Sequence, residues 1–388
     1  MSNVGKQYPS EISEYVDPKT GRRIKQLTRS GRSNHFYFTE NSFTAGDKEI
    51  VYNHRADGWH LAELFSMDLA TGVRTQLTET GKYFKTVSYI TKSMDSKYII
   101  ANCDGDLYRI DREDGAFTLL YKTPADYILS GASISFDSRY VATTMIEKVT
   151  FDREFSPNNY DGFIERFYAY KRGRMVLLTI DGLYCETVMN DTHWINHVQF
   201  APDSNEYIMF CHEGPWNLVG QRVWLFNTMT RTFKPCFRQK RDDCVGHEFW
   251  TQDGLICFDN RGKGHDGTIT VDKTQATVMD SDGADAIPWV GFADKNGEVI
   301  RRIEVPYYCN HYHGNKDNTK LVGDAVNDIV LIDISGEKAT YEILCEHNTS
   351  WLGHGSHCHP TWSWSNDKIL YASDKDEMSR PQLYLIEM

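Results

Sequence analysis

Apolar and polar residues alternate along most of this chain with a period of two, the spacing of half-buried β-strands. The alternation comes in units. An apolar strand, a turn carrying aspartate and a second apolar strand recur at Phe43–Tyr52, Tyr89–Ala101, Ile134–Thr143, Val198–Phe210, Phe249–Phe258, Tyr312–Gly323 and Trp362–Ala372. The turn aspartates are Asp47, Asp95, Asp137, Asp203, Asp253, Asp317 and Asp367, separated by 42 to 66 residues. Second hairpins lie between the copies, most clearly at Leu64–Leu77. Others follow at Leu107–Leu120, Val176–Val188, Val223–Phe237, Val290–Val305 and Ile329–Leu344. Two hairpins make a four-stranded unit. Seven such units predict an all-β fold, a seven-bladed β-propeller.

The chain ends fit closure of that ring. Gln382–Ile386 has no strand after it to pair with, and Arg23–Leu27, after the turn Asp17–Gly21, is predicted to supply the partner. The N- and C-terminal strands would then share a closing blade and protect its edge. Residues 1–388 are read as a single propeller domain with an insertion at about 147–174, rich in Phe, Tyr and Arg. That insertion is expected to form a short helix or a lid over one mouth of the channel.

Charge narrows the partners. A formal net charge of −12 argues against a nucleic-acid surface, whose footprint is basic, and against anionic membranes. It leaves room for a small acidic ligand at a locally cationic site. The first fifteen residues hold no apolar stretch of a secretory signal, and no apolar run has the length of a membrane span. The nine cysteines are odd in number and form no CxxC pair, as expected of reduced thiols in a cytoplasmic protein. The oligomeric state is left open.

Histidine placement points to chemistry. The segment His354-Gly355-Ser356-His357-Cys358-His359-Pro360 carries three imidazoles. On an extended strand His357 and His359 face the same way, and His354 can swing in across Gly355. Cys358 then points away. Counting back six residues from the turn aspartate gives His197, His247 and His311, while His359 lies eight before Asp367, on the same strand face. In a propeller the first strand of each blade lines the central channel. These imidazoles are therefore expected to converge near the axis and bind a divalent metal.

Several stretches resemble the oligogalacturonate lyases, propeller polysaccharide lyases that act on short pectin fragments. They are Phe210–Pro215 (FCHEGP), Arg222-Val223-Trp224, His247–Trp250 followed by Asp253-Gly254, Glu346–Trp351 (EHNTSW), His357–Pro360 and the closing Ser373-Asp374 with Leu383–Leu385. The resemblance implies Mn²⁺ held by three histidines and a glutamine. His311, His357 and His359 match the histidines, and the glutamine position holds His354. A fourth imidazole favours Zn²⁺, Ni²⁺ or Fe²⁺ over Mn²⁺. The family's catalytic base falls on His247, and its substrate-engaging arginine on Arg222.

The implied reaction is β-elimination from a uronate. A cation on the C6 carboxylate makes the C5 proton removable, a neutral imidazole takes it, and the O4 glycosidic bond leaves. His197, His212 and Trp351 are candidates for substrate binding. The partner is then a small acidic oligosaccharide, most simply digalacturonate. Two other readings stay open: the same chemistry on a different uronate, and a non-catalytic propeller scaffold. Glycoside hydrolysis is disfavoured, because no pair of carboxylates is placed for it.

Overall fold

Strand pairing follows the alternation blade by blade. The computed structural model describes residues 2–156, 160–261, 267–272, 287–305 and 307–388, so residues 157–159 of the insertion lie outside the description. Seven antiparallel sheets succeed one another along the chain. Blades 2 to 6 take four strands each, in chain order, from residues 87–121, 127–191, 195–235, 245–304 and 312–346. Each buries apolar side chains against the next blade; Val176, Leu178 and Ile100 share one such layer, and Phe258, Val223 and Trp289 another.

Closure is as the chain ends predict. Arg23–Gln26 pairs with Gln382–Glu387, with Lys25 opposite Leu385 and Gln26 opposite Tyr384. Ser13–Val16 adds a further strand outside it. Gln7–Tyr8 then crosses to the outer edge of blade 1, where Gln7 faces Thr75. The N-terminal segment therefore stitches blade 7 to blade 1.

The recurring aspartate has two tasks. Its carboxylate caps its own turn, as Asp95 does by accepting from the Ser93 hydroxyl (2.6 Å) and the Lys97 N–H (3.0 Å). It also bridges blades. Asp137 accepts from Asn205, Asp253 from Asn318, and Asp47 from the backbone of Trp364 and Ser365.

Backbone hydrogen bonds correct one count made from sequence. Each turn is closed by one N–H, that of Ala201, Thr251, Asn315 and Ser363 in blades 4 to 7. His197, His247, His311 and His359 each stand four residues before it. The apparent eight-residue offset of His359 arises because blade 7 carries Ser365 where the other three turns carry aspartate. The four histidines are thus truly equivalent. Two of these positions, His197 and His247, sit on a bulge, where the inner strand slips register: between Asn196 and Gln199 in blade 4, and between Val245 and Glu248 in blade 5. His197 and His359 take left-handed backbone angles, φ 49° and 46°. A bulge re-aims a side chain that an ideal strand would hold elsewhere.

Blade 1 departs from the expected strand at Phe43. Its inner edge is Arg32–Asn34, with only an isolated bridge from Phe43 to Ile50. The intervening residues leave the sheet and cross the channel axis. Phe38 lies against His247, His311 and Phe249, and Tyr37 against His197 and His359, side chains from blades 4 to 7. The segment is held by the Ser42 hydroxyl on the Phe36 N–H and by the Asn41 amide on the Trp362 carbonyl. Here a local hydrogen-bonded loop overrides the alternating pattern.

Ile24 is fully buried in the closing blade with Trp362, Tyr371 and Tyr384. Ile24→Ala is expected to cost about 3 kcal/mol, read from the shift in urea midpoint at unchanged slope.

Candidate active site

The three imidazoles of His311, His357 and His359 converge, their candidate ligand atoms all within 4.8 Å of one another. Asp324, at the end of the strand Lys320–Asp324, sets this up. Its buried carboxylate accepts from the His311 backbone N–H (2.7 Å), the His311 Nδ1–H (2.9 Å) and the His359 backbone N–H (3.1 Å). With Nδ1 donating, His311 keeps its Nε2 lone pair free. His359 Nε2 is buried with no hydrogen-bond partner. Burial, and then the neighbouring rings, holds His357 and His359 well below the usual imidazole range, so both are neutral. Converging neutral imidazoles with spare lone pairs could hold a metal ion.

His247 stands beside them, its ring centroid 4.4 Å from that of His311. The Asn310 carbonyl lies 2.8 Å from its Nδ1. A carbonyl only accepts, so Nδ1 carries the proton and Nε2 is the basic nitrogen. Burial lowers the pKa of His247 well below the ordinary value. Its backbone N–H binds Asp259, as that of His311 binds Asp324.

Arg222 is 1% exposed, which differs from an arginine open to the channel. Its Nε donates to Glu248 (2.9 Å) and its Nη1 to Glu213 (3.1 Å). Glu248 also accepts from His197 Nδ1 (2.7 Å), and Glu213 lies 3.6 Å from His197 Nε2. Two carboxylates, a guanidinium and an imidazole thus form one buried group. His197 is its member nearest the channel, packed against Tyr37.

Two expectations need correction, and one residue stands apart. His354 lies outside the tightest three-imidazole group. Residues His354–Ser356 form a single 3-10 turn, with the exposed His354 ring 5.2 Å from His357 and 5.9 Å from Tyr160 of the insertion. His212 turns away from the channel. It alternates with Glu213 along its strand, binds Asp191 (3.0 Å) and stacks on His193. Trp351 is buried, donates to the Val326 carbonyl (2.9 Å) and packs beside His357, so it supports a ligand instead of stacking on a sugar.

Sequence reasoning missed Asp324, Asp259, Tyr37 and Phe38. The aspartates end second strands, a place the histidine count did not examine. Tyr37 and Phe38 carry no periodic signal at all. The insertion forms a short helix, Phe163–Ala169, packed on Trp194 near this mouth.

A family model for oligogalacturonate lyases matches residues 2–388. The chain is 24% identical to an oligogalacturonide lyase of Pectobacterium atrosepticum, across 99% of this chain and 98% of that protein. It is 23% identical to an oligogalacturonate lyase of Dickeya dadantii, with the same coverage. A solved oligogalacturonate lyase in complex with manganese is similar at TM-score 0.83 and 23% identity, over 100% of this chain and 98% of that one. A second such lyase, from Vibrio parahaemolyticus, gives 0.81 at 21% identity, over 99% and 98%.

The buried ion group makes its own prediction. Burial opposes ionisation of Glu213, but Arg222 and His197 hold its carboxyl down at about 2. That stability is complete above the ordinary carboxylate range and lost as pH falls through about 2. Arg222→Met strands two buried carboxylates and is expected to destabilise by about 3–5 kcal/mol at neutral pH. Chemical denaturation at several pH values checks it; the deficit should shrink on acidification.

Proposed function

This chain belongs to the oligogalacturonate lyase family, and on that premise we propose that it cleaves short galacturonate oligosaccharides by β-elimination at the mouth lined by His247, His311, His357 and His359. The observation that carries the residue assignment is the pairing of a neutral base, His247, with the three-imidazole group beside it.

His311, His357 and His359 would hold a divalent cation, manganese being the ion named for a structural relative. The unpartnered Nε2 of His359 and the Asp324-fixed tautomer of His311 fit that role. A bound cation would neutralise the uronate carboxylate and acidify the C5 proton. His247 Nε2 takes that proton. The C5–H electron pair becomes the C4–C5 double bond, and the C4–O4 pair leaves with the departing sugar. The Asn310 carbonyl holds the base in its reactive tautomer throughout.

Arg222 acts as a positioning residue. Two of its donors are occupied by Glu213 and Glu248, and through them it fixes His197 at the channel wall. Arg166, on the insertion helix, lies over the Phe155 ring and is near enough to act electrostatically on His354 and Tyr89, a cation that would favour an acidic sugar at the rim. Among the described residues no helix is long and apolar enough to cross a membrane. None of the nine cysteines is in a disulfide and eight are buried, which supports a reducing, cytoplasmic setting.

Three outcomes are expected. Protein incubated with digalacturonate should generate the ultraviolet absorbance of an unsaturated uronate, lose it with chelator and regain it with Mn²⁺. No rise with any ion, on galacturonate or on a panel of other uronides, sinks the reading. His247→Ala should lower kcat by about 10²- to 10⁴-fold while calorimetric Mn²⁺ affinity is kept. Asp324→Asn should weaken Mn²⁺ binding by about 10- to 100-fold, measured by the same titration.

A further inference from the structure

The channel has a second chamber. On the turn side of the crossing segment lies a cavity of about 110 Å³, lined by residues that include Glu40, Lys92, Gln199, Gln252, His313 and Trp364 from six different blades. Phe38, Phe249 and the ring of His313, stacked 5.7 Å from Phe249, separate it from the imidazole group.

Hydrogen-bond donors in this chamber lack acceptors. Lys92 is only 8% exposed, and among the described residues no hydrogen bond or ion pair engages its Nζ. Gln252 Nε2 is buried without a partner. His313 Nδ1 accepts from the Trp362 N–H (3.2 Å), so its proton sits on Nε2, a third donor. The Gln252 amide is shut off from solvent and costs free energy unless something accepts from it, and the Lys92 ammonium and the His313 N–H, from two other blades, line the same cavity. The lone acid in the cavity, Glu40, accepts the Thr91 hydroxyl rather than the ammonium. Burial pushes its carboxyl up to about 7, and burial draws Lys92 down to about 8.

We propose that this chamber is a binding site for a small monocarboxylate, held by the Lys92 ammonium, the Gln252 amide and the His313 imidazole N–H. A carboxylate presents two oxygens with about four acceptor positions, which suits three donors and the acid form of Glu40. The space is enough for an acetate-sized ion. This site does not depend on the lyase assignment.

The test uses acetate as the probe, with saturation transfer from protein to its methyl protons. Transfer is expected with the intact protein, lost in Lys92→Met and retained in His357→Ala, which disturbs only the other mouth. Lys92→Met should leave lyase activity unchanged. Gln252→Leu, which removes a donor without touching the ammonium, gives a second arm in which weakened transfer is expected. Undiminished transfer in both chamber variants, or its loss in His357→Ala, overturns the proposal, as does the absence of transfer to the intact protein.

Discussion

One buried carboxylate, that of Asp324, holds the converging imidazoles in shape. It lies between blades 6 and 7 and takes three N–H donors, two from His311 and one from His359. A carboxylate so deep would be costly unpaired, so its satisfaction fixes several features at once. It selects the His311 tautomer, pins the His359 backbone in its left-handed turn, and helps to join blades 6 and 7. Blade 5 repeats the device. There Asp259 binds the His247 N–H and Arg261, whose guanidinium lies between the faces of Trp216 and Tyr308. A histidine on the inner strand and an aspartate ending the second strand are thus one unit, used twice.

The propeller was legible because its signal is repetitive. Seven turn aspartates and the intervening hairpins dictate both strand order and the closing pair of chain ends. The shared position of His197, His247, His311 and His359 was legible for the same reason, although Ser365 in place of an aspartate disguised the equivalence of His359. The failures share a cause too. Tyr37 and Phe38 occupy a segment whose conformation is set by one hydroxyl and one amide, neither of which leaves a period in the sequence. His354 was read as swinging in across Gly355, and its segment forms a single turn of 3-10 helix.

Motifs that mark the family turn out to be largely scaffolding. Asp374 of the Ser373-Asp374 pair accepts from the Thr349 and Ser350 hydroxyls and the Ser350 N–H, and Ser373 donates to the His347 carbonyl. The two distant stretches are therefore one knot, whose product is the placement of Trp351 beneath His357. Residues chosen as substrate contacts for their chemistry, Trp351 and His212, serve packing and loop anchoring instead. Electrostatics explains how an acidic protein hosts this mouth. Its carboxylates there are buried beside Arg222, His197 or backbone donors, so their charge is spent internally.

The segment through Tyr37 and Phe38 has a consequence for traffic. A propeller axis open at both ends would let a polymer thread through and be processed link by link. Here the catalytic mouth is a blind cup. Whatever enters must leave by the same opening, so a sugar chain can present only its terminus, and each cut must be followed by withdrawal of at least one fragment. Such an architecture is matched to a supply of short pieces made elsewhere, and turnover on longer chains is governed by how quickly ends come and go.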